Sequence, residues 1–337
     1  MDRKFESVLI TGGAGYCGSR LVPQLLEAGY KVKVYDLLFF GQDFFPLENP
    51  NLEVVKGDVR DISLFKKSCE GVDAVLSLAC ISNDASFELD EKLSTSINLE
   101  AFEPMVIAAK EAGIKRFVYA SSSSVYGVSE EKDVTEDHPL VPLTLYNKYK
   151  GMCEPLLKKH TDENFVGTIF RPATVYGYAP RQRLDLSVNI LTNHAFHNGK
   201  IKVFGGSQLR PNLHVQDYCD LCQLLLEATN EDISDKTFNC GYENMSIMEL
   251  AKVVKKVVEE SYPEKGKIEI ETVPTDDIRS YHINSDKIKR ELGFQPKHSI
   301  EEGVKELCDS FAKGLLPNSF EDDKYFNVKR VKALKVQ

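Results

Sequence analysis

Ser7-Val8-Leu9-Ile10-Thr11-Gly12-Gly13-Ala14-Gly15-Tyr16-Cys17-Gly18 is the stretch that decides the fold. A short apolar run stops at glycines. Residues 16–28 then place Leu21, Val22, Leu25 and Leu26 at helical spacing before Gly29. Gly13-x-Gly15-x-x-Gly18 overlaps here with Gly12-x-x-Gly15-x-x-Gly18. Glycines permit a tight turn and close backbone approach, and the helix N-terminus offers free N–H groups and a positive dipole end. A dinucleotide diphosphate fits that place. The next strand, Lys31-Val32-Lys33-Val34-Tyr35, ends at Asp36, where a carboxylate can accept ribose hydroxyls. Leu37-Leu38-Phe39-Phe40 follows and offers no cation for a 2′-phosphate, so NAD is expected rather than NADP. Pro23 inside the helix should bend it or mark a tighter first turn.

The same alternation continues outward. Apolar strand signals recur at 52–55, 74–78, 117–120 and 166–170, with helical patterns near 101–112 and 146–157 between them. Short, nearly continuous apolar strands separated by helices imply an α/β protein with a doubly wound parallel sheet, covered on both faces. After Arg171-Pro172 the pattern loosens. Residues 174–215 read as loop-rich, with helices near 217–229 and 246–260 and isolated strands at 202–204 and 269–271. The expected division is a Rossmann-type domain over 1–172 and a smaller α/β C-terminal substrate lobe over 173–337, partly interleaved with the first.

The 337 residues carry a net charge of −9, with 42% hydrophobic and 28% charged side chains. Nothing forms the basic patch that nucleic-acid binding requires. Lys329-Arg330 to Lys335 reads as a short solvated tail. No apolar run approaches membrane-spanning length, and nothing resembles a signal peptide. The eight Cys are scattered, which suits a reducing compartment, and a cytoplasmic location is expected. Cys219 and Cys222 form a C-x-x-C on an amphipathic helical pattern. With no second pair at zinc spacing, they read as core thiols, and no metal is expected.

Tyr146-Asn147-Lys148-Tyr149-Lys150 puts a Tyr and a Lys four apart, hence on one helical face. A free Tyr is a poor base at neutral pH. A nearby ammonium and a positive nicotinamide favour its phenolate, which can take a proton from an alcohol as hydride leaves the same carbon. Ser122, at the end of the fifth strand, can hydrogen-bond that oxygen. Alone, a Y-x-x-x-K is usually a surface helix turn and a serine run is usually a loop. After a strand-end cofactor fold they form a redox site.

These motifs resemble the extended short-chain dehydrogenase/reductase family, in its nucleotide-sugar epimerase/dehydratase branch. The family's glycine loop matches residues 11–18, with Cys17 where an aliphatic residue is usual. Its acidic adenine turn matches Gly57-Asp58-Val59-Arg60-Asp61, its strand end Leu78-Ala79-Cys80, and its structural Asn Asn98. Its serine motif matches Ser122-Ser123-Ser124-Val125-Tyr126-Gly127. The resemblance assigns Gly12, Gly15, Tyr16, Cys17, Gly18, Asp36, Asp58, Val59, Leu78, Ala79, Cys80, Asn98, Tyr146 and Lys150 to NAD. It assigns Ser122, Tyr146 and Lys150 to catalysis. Ser122, Ser123, Ser124, Tyr146, Arg183, Asn189, Arg210 and Arg279 would meet a nucleotide-diphosphate sugar, with Arg279 on the diphosphate. It also implies a homodimer, paired through helices near 101–112 and 146–158.

The positions after Ser122 discriminate among reactions. The family's 4,6-dehydratases resemble Thr-Asp-Glu there, and its decarboxylases carry a Glu. Ser123 and Ser124 cannot act as a carboxyl acid/base pair. That favours 4-epimerisation, with 4-reduction or 4-dehydrogenation as runner-up and 4,6-dehydration behind. A non-catalytic NAD-binding regulator is the reading outside enzymes. Two Arg in Arg181-Gln182-Arg183-Leu184-Asp185-Leu186-Ser187-Val188-Asn189 could grip a diphosphate or a sugar carboxylate. A solvated loop with ordinary ion pairs explains them equally well.

Overall fold

The computed structural model describes residues 4–82, 84–131, 133–275 and 280–334. The glycine stretch folds as its spacing predicts: β1 (Ser7–Thr11) runs into the loop, and α1 (Tyr16–Glu27) leaves it. The helix forms because Leu21, Val22, Leu25 and Leu26 make one buried face, and it runs unbroken through Pro23. β2 (Lys31–Asp36), β3 (Leu52–Lys56), α2 (Ile62–Cys69) and β4 (Ala74–Ser77) follow. α3 (Asp84–Phe87) and α4 (Glu91–Thr95) lead through a π-helical stretch, Ser96–Glu100, into α5 (Phe102–Glu111). β5 (Arg116–Ala120), α6 (Leu145–His160) and β6 (Val166–Pro172) complete the series.

The second half differs from its sequence reading. Residues 174–215 hold β7 (Thr174–Tyr176), α7 (Ser187–Asn198), β8 (Lys200–Phe204) and β9 (Leu209–His214) rather than mainly loop. α7 lacks the one-sided pattern of a surface helix, because Asn189, Thr192 and Asn193 are buried along with Val188, Leu191, Ala195 and Phe196. It also lacks a side-chain cap. Then come α8 (Val215–Glu227), α9 (Asn230–Ile233), β10 (Thr237–Cys240), β11 (Glu243–Ser246), α10 (Ile247–Ser261), β12 (Glu269–Val273), α11 (Asp286–Leu292), α12 (Ile300–Ala312) and α13 (Asn327–Leu334).

Seven strands form one sheet in the order β10-β6-β5-β4-β1-β2-β3. Each recorded pairing in it is parallel. The order reverses between β1 and β4, and a ligand crevice opens at such a switch point, beyond the strands' C-terminal ends. β10 returns to this sheet from the second half, and α8 packs on α1. Two smaller sheets, β11-β9-β7 and β12-β8, belong to the second half. A separate apolar cluster there joins Leu191 and Phe196 of α7, Leu250 and Val254 of α10, and Leu307 and Phe311 of α12.

Cys219 and Cys222 are buried free thiols on α8. The basic C-terminus departs from expectation. Residues 327–334 form a docked helix, and Arg330 donates to the Phe39 carbonyl (2.7 Å) and pairs with Asp323. Among the described residues, no helix is long and apolar enough to cross a membrane.

Candidate active site

A cavity of about 860 Å³ opens at the switch point. At one end lies the glycine loop. Gly12 adopts φ +71°, and a Cβ there would stand 2.7 Å from the Ala79 backbone, so only glycine fits against the end of β4. Gly15 precedes α1 without a side-chain cap, which leaves the helix's first N–H groups for an anionic ligand. Gly12, Gly15, Tyr16, Cys17, Gly18, Asp36, Val59, Leu78, Ala79 and Cys80 all line the cavity. The Asp36 carboxylate accepts from Leu38 N (2.7 Å) and Ala14 N (3.0 Å), which aims it beside the loop. Burial raises its pKa against those bonds. Burial also pushes the Cys17 thiol up to about 12, so it packs rather than reacts.

Two expected cofactor contacts stand behind the wall. Asp58 is ion-paired with Arg60 (2.7 Å). Asn98 accepts from Ile81 N (2.8 Å) and donates to Ile81 O (2.9 Å), pinning the chain that leaves β4.

The middle of the cavity holds Ser122, Tyr146 and Lys150. Ser122 stands two residues past the end of β5 and caps the short turn Ser123–Tyr126. Thr144 caps α6, accepting from Asn147 N, and so fixes the turn that carries Tyr146. Ser122 Oγ lies 2.7 Å from Ser124 Oγ, and Ser124 donates to Asn147 Oδ1. Lys150 Nζ donates to the Ala120 carbonyl (2.8 Å). Burial raises the Tyr146 pKa well above 10, and Cys80 and Asp84 push the same way. The Arg183 charge opposes them.

The second half supplies the far end. Arg183 pairs with Asp185 (2.9 Å), and both line the cavity with Lys202, Gln208, Arg210 and Tyr281. The Arg210 guanidinium stands 5.4 Å from the Tyr281 ring centroid. Ser123 and Ser124 line the wall beside Ser122. Asn189 is fully buried and bonds Gly177 N, Tyr16 OH and the Arg183 carbonyl, so its amide braces the loop. Arg279 lies outside the described residues. Three further cavity residues are Asp84 and Asn147, which the sequence reading did not name as site residues, and Arg181, which it weighed as a diphosphate or carboxylate ligand without choosing it. Asn147 stood within the quoted Tyr–Lys motif and Arg181 within the weighed arginine loop, whereas Asp84 gave no local signal.

Residues 8–241 match the family model for the NAD dependent epimerase/dehydratase family, and the chain belongs to that family. It is similar to the dTDP-D-glucose 4,6-dehydratase of Bos taurus, at 30% identity over 91% of this chain and 89% of that protein. It is also similar to the UDP-glucose 4-epimerase of Lactobacillus helveticus, at 28% identity over 94% of this chain and 99% of the other. Among solved structures it resembles the dTDP-glucose 4,6-dehydratase of Streptomyces venezuelae with NAD and TYD bound. That match has a TM-score of 0.80 and 25% identity, covering 91% of this chain and 97% of the other. The cofactor is NAD, and the uncapped glycine loop, the oriented Asp36 and the cavity between them fit it.

Proposed function

We propose that the protein is a nucleotide-sugar 4-epimerase that works through a transient 4-keto sugar. The observation that carries this reading is the pair of hydroxyls after Ser122. Ser123 and Ser124 stand where a dehydratase of this family would carry its carboxyl pair, and the Ser124 hydroxyl is tied to Asn147. Such a wall serves redox chemistry at one carbon and supplies no acid for elimination at the next.

What NAD supplies when bound is a reversible hydride acceptor. Tyr146 accepts the 4-hydroxyl proton as C4 is oxidised and returns it after the sugar has turned. Ser122 holds the reacting oxygen. Lys150, held on the Ala120 carbonyl, brings a positive charge to the same cavity. Arg183 counteracts the burial that keeps Tyr146 protonated. Lys202 and Arg210 give the cavity of an acidic protein its local attraction for a diphosphate.

We read residues 1–172 as the cofactor domain and 173–337 as the substrate lobe. A homodimer is part of the proposal: α5 and α6 pack together, and each leaves an apolar side chain outside, Ile107 and Met152. A monomeric mass in solution would remove that part.

A 4,6-dehydratase is the second reading, because Asp84 brings a carboxylate to the cavity wall within the electrostatic reach of Tyr146. Incubation with UDP-, GDP-, CDP- and dTDP-sugars, followed by NMR of the products, separates the two. Inversion at C4 supports the epimerase. A 4-keto-6-deoxy product supports the alternative and defeats the epimerase.

A further inference from the structure

Arg181 is 5% exposed and lines the cavity, yet it sits in the second half of the chain. Its backbone N–H donates to Ser19 Oγ (3.1 Å), on the first turn of α1. Its guanidinium lies over the Phe40 ring, 3.4 Å from the centroid, on the chain that follows Asp36. Among the described residues one side-chain bond holds it, from Nη2 to the neutral Asn327 Oδ1 (2.5 Å). Its Nε is buried and has no hydrogen-bond partner among the described residues. Among the same residues no carboxylate reaches ion-pair distance: Asp185 is paired with Arg183, and Asp185 and Asp36 act on Arg181 only through their longer-range fields.

A buried cation without a counter-ion is costly to maintain. Burial, with the nearby Arg183 charge, pulls its pKa down to about 9. An anion between α1 and Asp36 would relieve both the orphan N–H and the charge. That interval joins the glycine loop, suited to a diphosphate, to Asp36, suited to the adenosine ribose. The geometry points to Arg181 as an anchor for the cofactor's diphosphate, reaching over from the second half of the chain. The residues that follow Asp36, Leu37-Leu38-Phe39-Phe40, offer no such cation, and the tertiary fold delivers one. This inference holds whichever reaction the site performs.

The test uses nucleotide-stripped full-length protein with Arg181→Met and Arg181→Lys. Calorimetry measures NAD, NADP, ADP and adenosine binding, and melting is recorded without ligand. Arg181→Met should weaken NAD and ADP by about 10- to 100-fold. It should leave adenosine within about twofold. The ligand-free Tm should hold or rise, since a buried unpaired charge has gone, and Arg181→Lys should recover part of the ADP affinity. Unchanged NAD and ADP affinity would overturn the assignment. So would equal losses for ADP and adenosine with a lower ligand-free Tm, the mark of a packing role against Phe40. A loss confined to NADP would assign the residue to a 2′-phosphate instead.

Discussion

Tyr146 can accept the sugar's proton only as the phenolate, and that sets its expected pH dependence. Burial, Cys80 and Asp84 all raise its pKa, so the base form appears only as pH climbs. Oxidation of the sugar, read as kcat/KM, should therefore rise from neutral toward alkaline pH. Arg183→Met removes the cation that opposes the rise. It should move that limb further alkaline and lower the neutral rate by about tenfold. A pH profile that does not move would exclude Arg183 from tuning the tyrosine. Tyr146→Phe should cost about 10²- to 10⁴-fold in turnover. Calorimetry should find NAD binding retained in that variant, because the glycine loop and Asp36 carry the cofactor.

At the level of elements, the unit formed by β1, the glycine loop and α1 is both the most legible and the least tolerant. A Cβ on Gly18 would lie 2.2 Å from the Gly13 carbonyl oxygen, a collision of backbone with backbone. Gly18→Ala should destabilise by about 1–3 kcal/mol and weaken NAD as the loop shifts. Gly71→Ala is the comparison. Nothing lies within 4 Å of its added Cβ, so only the positive φ opposes it, at about 1 kcal/mol. Equal thermal shifts in the two would argue against a close-packed loop. This unit and the Tyr146–Lys150 helix could be read from sequence because their signals are local: an apolar run, glycines at fixed spacing, and two residues on one helical face. α7 could not, since it is buried on several sides and shows no clean period. The bracing bonds of Asn189 gave no sequence signal, because a buried amide and a ligand-binding amide look alike in sequence. Arg181 and Asp84 reach the cavity only through tertiary packing.

Across the whole molecule, the two halves are tied near the cavity by Glu306 of α12, which meets Arg20 of α1 (2.8 Å) and His214 at the end of β9 (2.9 Å). His214 Nδ1 accepts from Gln216 N, so its Nε2 carries the proton and donates to Glu306. Burial alone would raise the Glu306 pKa. The His214 bond, the Arg20 charge and the Tyr178 N–H outweigh it and bring the carboxyl from 4.5 to about 2. A depressed carboxylate stabilises the fold above its unfolded value, and that stability is lost as pH falls from about 5 toward 2. Glu306→Gln should remove about 2 kcal/mol at neutral pH and flatten the acid limb of a melting curve. An unchanged acid limb would show that the tie contributes little.

The proposed epimerisation requires the same cavity to let a sugar turn after oxidation and take its hydride back at the carbon that lost it. A nucleotide sugar deuterated at C4, incubated with the holoprotein, measures this directly. We expect the label at C4 of the inverted product, with no net change in nicotinamide absorbance. Label at C6 of a 4-keto-6-deoxy sugar, or accumulation of reduced nicotinamide with a stable ketone, would contradict the epimerase account.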